Sequence, residues 1–448
     1  MVKRMKTTAV GETSKAQKII RFIDYAAFAI LTIFLVAIVA TSGMANVQTD
    51  AIDYYAIVQK LTQTDGNPIV RNLHFVEQRS PGYPLLALIP YYLISSPVEP
   101  FVLEETIVAP GIRPDAPLQA STERMLLPGE PVLFRDVFFK NFYIASQDSW
   151  FEWKIIAAML FTSYAFFFTG LIFAVKSLAL EKKSFLGASL VPLTVFTSSV
   201  FMHNIVNTPA YATLTAFGLS SLFGYFFVKG SLDRNSGPQR LAGLFMGLLV
   251  LTRLETMVIA ATVFVSLLVI REFGYLKNYV LGGWTAVAIL LLYNFSQFGT
   301  PFHRGILSGD VNLISFDWGY IYANLFSPHS GILVWSTLAS LGLIGLFLDG
   351  QRYSKILGIG SIALLGLVLV RVPIMTTCVG EGTKIIGGLP ITCPNNMAEM
   401  ANLIRSDANR YITVFFPFSF LGLRTLVMSI PEFWRGIQKA FTQKRKTG

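Results

Sequence analysis

Charged side chains are scarce in this chain. They make up 14% of its 448 residues, against roughly 25% in soluble domains. That excludes an ordinary water-soluble globule. Chemistry-bearing signatures are also missing. There is no zinc-finger spacing of Cys and His, no GxxxxGK[ST] loop and no GxGxxG turn following a strand. Metal-finger and nucleotide-binding classes are set aside. No repeat of 20–50 residues recurs, which excludes a solenoid. Acids are outnumbered by bases, 26 to 36. The bases do not form one patch, as a nucleic-acid surface would. They sit in short clusters between apolar runs, so no nucleic-acid partner is expected.

What is present is apolar sequence. Hydrophobic residues account for 53% of the chain and the mean hydropathy is +0.55. Long apolar runs of that kind mark an integral membrane protein. The first expected span is Phe22–Ser42, preceded by Lys3, Arg4, Lys6, Lys15, Lys18 and Arg21. By the positive-inside rule the N-terminus, residues 1–21, is cytoplasmic. The apolar run is longer than the roughly 7–15 residues of a signal-peptide core, so an uncleaved anchor is expected.

Further spans are expected at Lys154–Lys176, Phe185–His203, Ala210–Val228, Tyr279–Asn294, Gly331–Leu348, Ile356–Val372 and Tyr411–Met428. The stretch Leu241–Ile270 holds "TRLET" at its middle. A single long helix would bury Arg253 and Glu255 in mid-membrane, which is costly. A pair of short helices turning at that motif is expected instead. Counting that pair as two gives about ten segments in an all-α polytopic fold. It also brings Lys176/Lys182/Lys183, Lys229/Arg234/Arg240, Arg271/Lys277, Arg352/Lys355 and the basic tail, residues 431–448, to the N-terminal side. The transmembrane domain is then 22–430.

Residues 43–152 form a large first outer loop with seven Lys/Arg against thirteen Asp/Glu. Within it, Pro81–Ser96 is apolar but short and broken by prolines. An interfacial helix along the outer leaflet is expected there.

The outer segments hold most ionisable residues that topology leaves unexplained. Asp50 and Asp53 follow the first span, three apart, and would share a helix face. They fit an N-cap with a dipole partner, and they fit a general base at a membrane mouth. "YNFSQFGTPFHRG" carries His303 and Arg304, and "LFSPHSGILVWS" carries His329. Those cations either mark the headgroup level or bind a phosphate. Arg410 stands at the mouth of the last span, where snorkelling is the plain reading. Asp148 and Glu152 end the first outer loop, as second-acid candidates or helix-start carboxylates. Cys378 and Cys393 are the only cysteines. Both lie in the last outer segment and read as one disulfide.

"TDAIDYYAIVQKLTQTDGNPIVRN" resembles the first-loop motif of membrane glycosyltransferases of the GT-C superfamily, relatives of the protein O-mannosyltransferases and the aminoarabinose transferase. "RSPGYPLL", "GLLVLTRLE", "FGTPF", "LFSPHSGIL" and "NRYITVFFPF" resemble further patterns of that family, in the same order along most of the chain. The resemblance implies sugar transfer from a polyprenyl phosphate to an acceptor hydroxyl on a polysaccharide, lipid or protein. The transfer would occur on the outer side of a bacterial plasma membrane. It implies Asp50 as the base, with Asp53 assisting. The family's frequent second acid is Ala51 here, so whether a divalent cation is held stays open. A leaving phosphate needs cations, and Arg79, His303, Arg304, His329 and Arg410 are the candidates. Two other functions compete: a lipid or solute transporter, which would show broken helices near the midplane, and a non-catalytic scaffold subunit.

Overall fold

The computed structural model describes residues 15–41, 50–62, 80–94, 101–102, 150–151, 153–180, 187–206, 209–302, 321–322, 325–326, 331–370, 382–386, 389–393 and 413–429. The described residues are overwhelmingly helical. Helix α1 spans Lys15–Thr41, α2 Asp50–Thr62, α3 Gly82–Leu93 and α4 Trp153–Leu180. Then follow α5 Leu190–Thr197, α6 Ser199–Val206, α7 Ala212–Asp233 and α8 Ser236–Thr252. The remainder are α9 Met257–Val269, α10 Phe273–Phe298, α11 Ile332–Trp335, α12 Thr337–Leu348 and α13 Arg352–Val370, with α14 at Thr413–Ser429. Two antiparallel ribbons accompany them. Strand β1 (Phe101–Val102) pairs with β2 (Trp150–Phe151), and β3 (Gly382–Ile386) pairs with β4 (Leu389–Cys393).

Among the described residues, four helices are long and apolar enough to cross a membrane: Ile19–Thr41, Lys154–Leu180, Phe273–Phe298 and Arg352–Leu369. Three shorter apolar helices are Leu254–Val269, Thr337–Leu348 and Thr413–Ser429. The chain is therefore a helical membrane protein. Helix α7 is also long enough, with 22 residues spanning about 33 Å at about 1.5 Å each. Its Thr and Ser residues lower its hydropathy, but it lies at the centre of the bundle, buried along most of its length.

Side-chain contacts fix the helix directions. Gly170 of α4 backs onto Phe217 and Gly218 of α7, and further along Phe173 meets Tyr225. Positions rise together, so α4 and α7 are parallel. Helix α8 returns along α7: Gly230 meets Gln239, Phe226 stacks on Phe245 and Arg253 reaches Thr213. The turn between them is written locally. Arg234 adopts a left-handed φ of 50°, and the Asn235 side chain caps α8 by accepting from the Gly237 N–H at 3.0 Å.

Helices α8 and α10 are parallel as well. Arg240 bonds Asn278, Gly243 packs on Tyr279 and Gly247 on Ala286. Two parallel helices in sequence need a return between them, and α9 supplies it. The expected turn at "TRLET" is thus present. Helix α8 ends at Arg253 in extended conformation, and a 3₁₀ turn, Leu254–Thr256, opens α9. A third parallel pair is α12 with α14, where Gly342 faces Ser419 and Gly345 faces Gly422. Glycine at these crossings lets backbones approach directly, as in membrane helix dimers.

One end of the bundle is identified by Asp24 of α1. Its carboxylate accepts from the N–H groups of Gly187, Ala188 and Ser189 at 3.0–3.1 Å and from the Ser189 hydroxyl. A side chain at Gly187 would meet Leu178 and Arg424, and Arg424 donates to the Leu178 carbonyl at 3.0 Å. The start of α1, the end of α4, the start of α5 and the later part of α14 therefore share one level. The helix directions bring Lys176, Lys229, Arg234, Arg240, Arg271, Lys277, Arg352 and Lys355 to that same end. It is the basic end.

Two expected spans differ from the single helices read in the sequence. Phe185–His203 resolves into α5 and α6, broken at Ser198, and Gly331–Leu348 into α11 and α12, broken at Ser336. Neither break has a Gly or Pro. At the first, the Ser198 hydroxyl accepts from the Phe201 N–H at 3.3 Å and so restarts the helix. The two breaks touch, Ser198 Oγ to Ser336 Oγ at 3.1 Å, both buried. Eight residues of α5 put Ser198 about 12 Å from the basic end, and twelve residues of α12 put Ser336 about 18 Å from it. Both therefore lie near mid-depth. Irregular backbone at that depth is tolerated where protein covers it.

Candidate functional site at the far end of the bundle

Helix α2 carries Ala51, Tyr54, Tyr55 and Val58 at the 3–4 spacing that makes one face of a helix, and all four are buried. They form a second core at the end away from Asp24. Its other members are Tyr83, Ala87 and Tyr91 of α3, Ile155, Ile156 and Ala158–Leu160 of α4, Ala210–Ala212 leading into α7, and Tyr293 near the end of α10. The Tyr83 hydroxyl donates to the Met159 carbonyl at 3.0 Å and shares a hydrogen bond of 3.0 Å with Ser163. Burial pushes its phenol far above the ordinary tyrosine range, so it stays protonated as that donor. Its ring meets Tyr54 edge-on at 5.2 Å. Cations rim this core. Lys154 sits over the Tyr91 ring at 4.3 Å and Lys60 over Phe298 at 5.8 Å.

Helix α3 joins this core to the bundle. Pro84 sits in its first turn, and Pro90 lies inside it. Gly82 lies directly on the end of α8, where a Cβ would come within 2.5–2.7 Å of the Leu251 and Thr252 backbone. One face of α3 packs on α2 and α4, while Ile89, Tyr92 and Leu93 are exposed. A helix thus forms within the stretch Pro81–Ser96, where the sequence leads one to expect an interfacial segment.

The acidic pair is placed through its backbone. Asp50 is the first residue of α2 and Asp53 lies in its first turn. Their side chains lie outside the described residues. So do Arg79, Asp148, Glu152, His303, Arg304, His329, Cys378 and Arg410. Cys393 ends β4 opposite Gly382, and no disulfide is seen among the described residues. Among the described residues there is also no group of three or more His, Cys, Asp and Glu able to hold a metal.

The sequence reading left two features of this end out of the site. Arg253, at the break after α8, is 7% exposed and donates from Nη2 to Thr213 Oγ1 at 2.7 Å. Asn294, one residue after Tyr293, donates to the Pro301 carbonyl at 3.1 Å, while its Oδ1 is buried with no partner among the described residues. Arg253 was visible in the sequence as a charge inside an apolar run. Its side-chain destination was not. Helix α10 ends just beyond Asn294, at Gly299, whose φ of 70° suits a residue without a Cβ.

No family model, no curated protein and no solved structure matches this chain.

Proposed function

We propose that this protein is a membrane glycosyltransferase that moves a sugar from a polyprenyl phosphate to an acceptor hydroxyl outside the cytoplasm. The observation that carries the reading is the seat of α2. A helix opening on Asp50 and Asp53 is held on a tyrosine core at the end opposite the basic turns. The basic end is cytoplasmic by the positive-inside rule. A base at the far end then meets water-borne acceptors from outside and lipid-borne donors from the bilayer.

The membrane count belongs to the same proposal. Helices α1, α4, α5–α6, α7, α8, α9, α10, α11–α12, α13 and α14 alternate in direction, which supports ten crossings. The shorter ones are sheltered by neighbours rather than matched singly to a bilayer core of about 30 Å.

In the reaction, the Asp50 carboxylate takes the acceptor hydroxyl proton. The oxygen bonds to the anomeric carbon as the bond from that carbon to the phosphate oxygen breaks. Polyprenyl phosphate leaves with the electron pair. Arg79, His303, Arg304, His329 and Arg410 are the proposed cations for the developing phosphate charge, and Asp53, Asp148 and Glu152 are the supporting acids.

A second reading, a lipid or solute transporter, draws support from one observation: two broken helices meet at Ser198 and Ser336 near mid-depth. Discontinuous helices of that kind mark binding sites in transporters. Sugar transfer assayed in membranes with wild type and Asp50→Asn, using a pool of polyprenyl-phosphate sugars, tests the first reading. Transfer by wild type and its collapse in the folded variant support it. Wild type that transfers from no donor removes it and leaves transport or scaffolding.

A further inference from the structure

We infer that Lys176 and Lys229 form a docking site for an anionic phospholipid in the leaflet at the basic end of the bundle. The site lies at the end opposite α2 and does not depend on the glycosyltransferase reading.

Two parallel helices build it. Lys176 of α4 lies over the Phe173 ring at 4.8 Å, and Lys229 of α7 lies over the Tyr225 ring at 5.8 Å. Those two rings meet edge-on with centroids 5.1 Å apart. Phe226 touches both, at 6.0 and 5.0 Å, and stacks on Phe245 of α8 at 5.5 Å. One aromatic floor therefore crosses three helices, with an ammonium group over each of its first two rings. All four rings are half-buried, so each keeps part of its surface open. Lys176 is exposed and Lys229 half-buried, which leaves room for a headgroup to approach from the surface.

The two charges are not helix caps. A helix dipole favours cations in the last turn and falls off beyond it, and the last turns of α4 and α7 contain no basic residue. No ion pair joins either lysine to a carboxylate among the described residues. Asp233 stands one turn beyond Lys229, exposed and unpaired with it. The rings are thus the partners of both ammonium groups. An exposed cation over a ring face is weakly held, and a phosphate oxygen is the stronger partner.

Depth selects a lipid over a soluble anion. Snorkelling toward water is the plain reading of a lysine near a membrane edge. Helical side chains tilt toward the N-terminus of their helix, and α4 and α7 both run toward the basic end. Each lysine lies back over a ring three or four residues earlier, nearer the middle of the bundle. Lys229 stands four residues before the end of α7, about 6 Å inward of it. Helix α7 is only slightly longer than a bilayer core of about 30 Å, so that is the level where acyl chains meet headgroups. Ile172 and Leu232, next to this floor in sequence, are exposed and suit the upper part of an acyl chain. A net-negative headgroup is favoured over a zwitterionic one, which would bring its own cation beside two lysines. Basic sites between membrane helices hold anionic lipids by the same means.

The test is native mass spectrometry of the full-length protein, titrated with phosphatidylglycerol or phosphatidylcholine of the same chains, reading the dissociation constant of the first bound lipid. Wild type is compared with Lys176→Gln/Lys229→Gln, Lys176→Arg/Lys229→Arg and Lys277→Gln/Lys355→Gln, with the melting temperature of each. The last pair removes equal charge from exposed lysines of α10 and α13 at the same end. Wild type is expected to bind phosphatidylglycerol more tightly. Lys176→Gln/Lys229→Gln weakens that binding by about fivefold for each lysine, roughly 25-fold in all, and leaves phosphatidylcholine unchanged. The arginine pair and the α10/α13 pair keep the preference.

Wild type that binds both lipids equally overturns the site. So does an equal loss in Lys277→Gln/Lys355→Gln, which would make the preference a matter of net charge alone. An arginine pair that loses the preference as fully as the glutamine pair, with the same fall in melting temperature, marks a packing role and also overturns it. Glycerol 3-phosphate that displaces the first phosphatidylglycerol at equal concentration overturns the lipid assignment in favour of a soluble phosphate.

Discussion

The two ends of the bundle hold buried charge in different ways. At the basic end Asp24 accepts four hydrogen bonds from one short segment, and Arg424 donates to a helix carbonyl beside it. Each charge there sits where the backbone offers the opposite partial charge. At the far end Arg253 points at the positive end of α7, and a helix led by two aspartates rests on a sheath of tyrosines. The first arrangement is what holding helices together requires. The second seats an acid-led helix on buried aromatic side chains. The end that carries the acid-led helix is the one where the proposed chemistry is expected.

That contrast can be broken or sharpened by substitution. The largest effect is expected on activity at the far end. Asp50→Asn should lower sugar transfer by about 10²- to 10⁴-fold, the usual contribution of a general base, with little change in melting temperature. Loss of transfer matched by loss of folded protein would make Asp50 a structural residue like Asp24.

Next comes a change that belongs to neither end. Gly243→Val puts a side chain into the Tyr279 carbonyl and forces α8 from α10. A destabilisation of about 3 kcal/mol or more is expected, measured by thermal unfolding in detergent. Gly274→Ala is the control, since nothing lies within 4 Å of a Cβ there.

Asp24→Asn ranks third. It keeps the shape but removes the charge that strengthens the bonds to Gly187, Ala188 and Ser189. A loss of about 2 kcal/mol is expected, read as a lower melting temperature with transfer per folded molecule unchanged. A specific loss of transfer would erase the division between the ends.

The smallest effect is Tyr83→Phe, which removes the bonds to Met159 and Ser163 for about 1 kcal/mol. The same melting assay checks it.

Legibility in the sequence followed the size of the penalty involved. Two charges in an apolar run are costly enough that the sequence alone calls for the turn at Arg253 and Glu255. The basic clusters pointed to helix ends that share one level for the same reason, and the apolar stretch at Pro81–Ser96 holds α3. The breaks at Ser198 and Ser336 were not legible. Serine side chains satisfy the backbone there cheaply, and the pairing of the two breaks is a tertiary event 138 residues apart in sequence. Asp24 escaped notice because it lies within the first apolar run and its partners are more than 160 residues downstream. Helix α7 read as an ordinary span, although its Thr and Ser residues serve a fully packed centre. Of the site, the helix that Asp50 opens and its apolar face were readable. The approach of Arg253 to Thr213 was not, since no local rule says which helix end a long side chain will reach.

The Asp24 contact also has a bearing on biogenesis. Most close packing in this bundle joins helices that follow one another within a few dozen residues, so it can form while the chain is still being made. Helices α4 and α7 can zip once α7 emerges, and α8 and α10 once α10 does. The clamp on Gly187–Ser189 is different. Helix α1 comes first in the chain and leaves much of its surface uncovered, with Phe22, Ile33 and Phe34 all exposed. It stays unattached at Asp24 until the α4–α5 connection has been translated. During that interval the Asp24 carboxylate lacks the donors of Gly187, Ala188 and Ser189. Closing the clamp is then the step that joins the early anchor to the later bundle, and newly made chains should be most open to membrane quality control just before it.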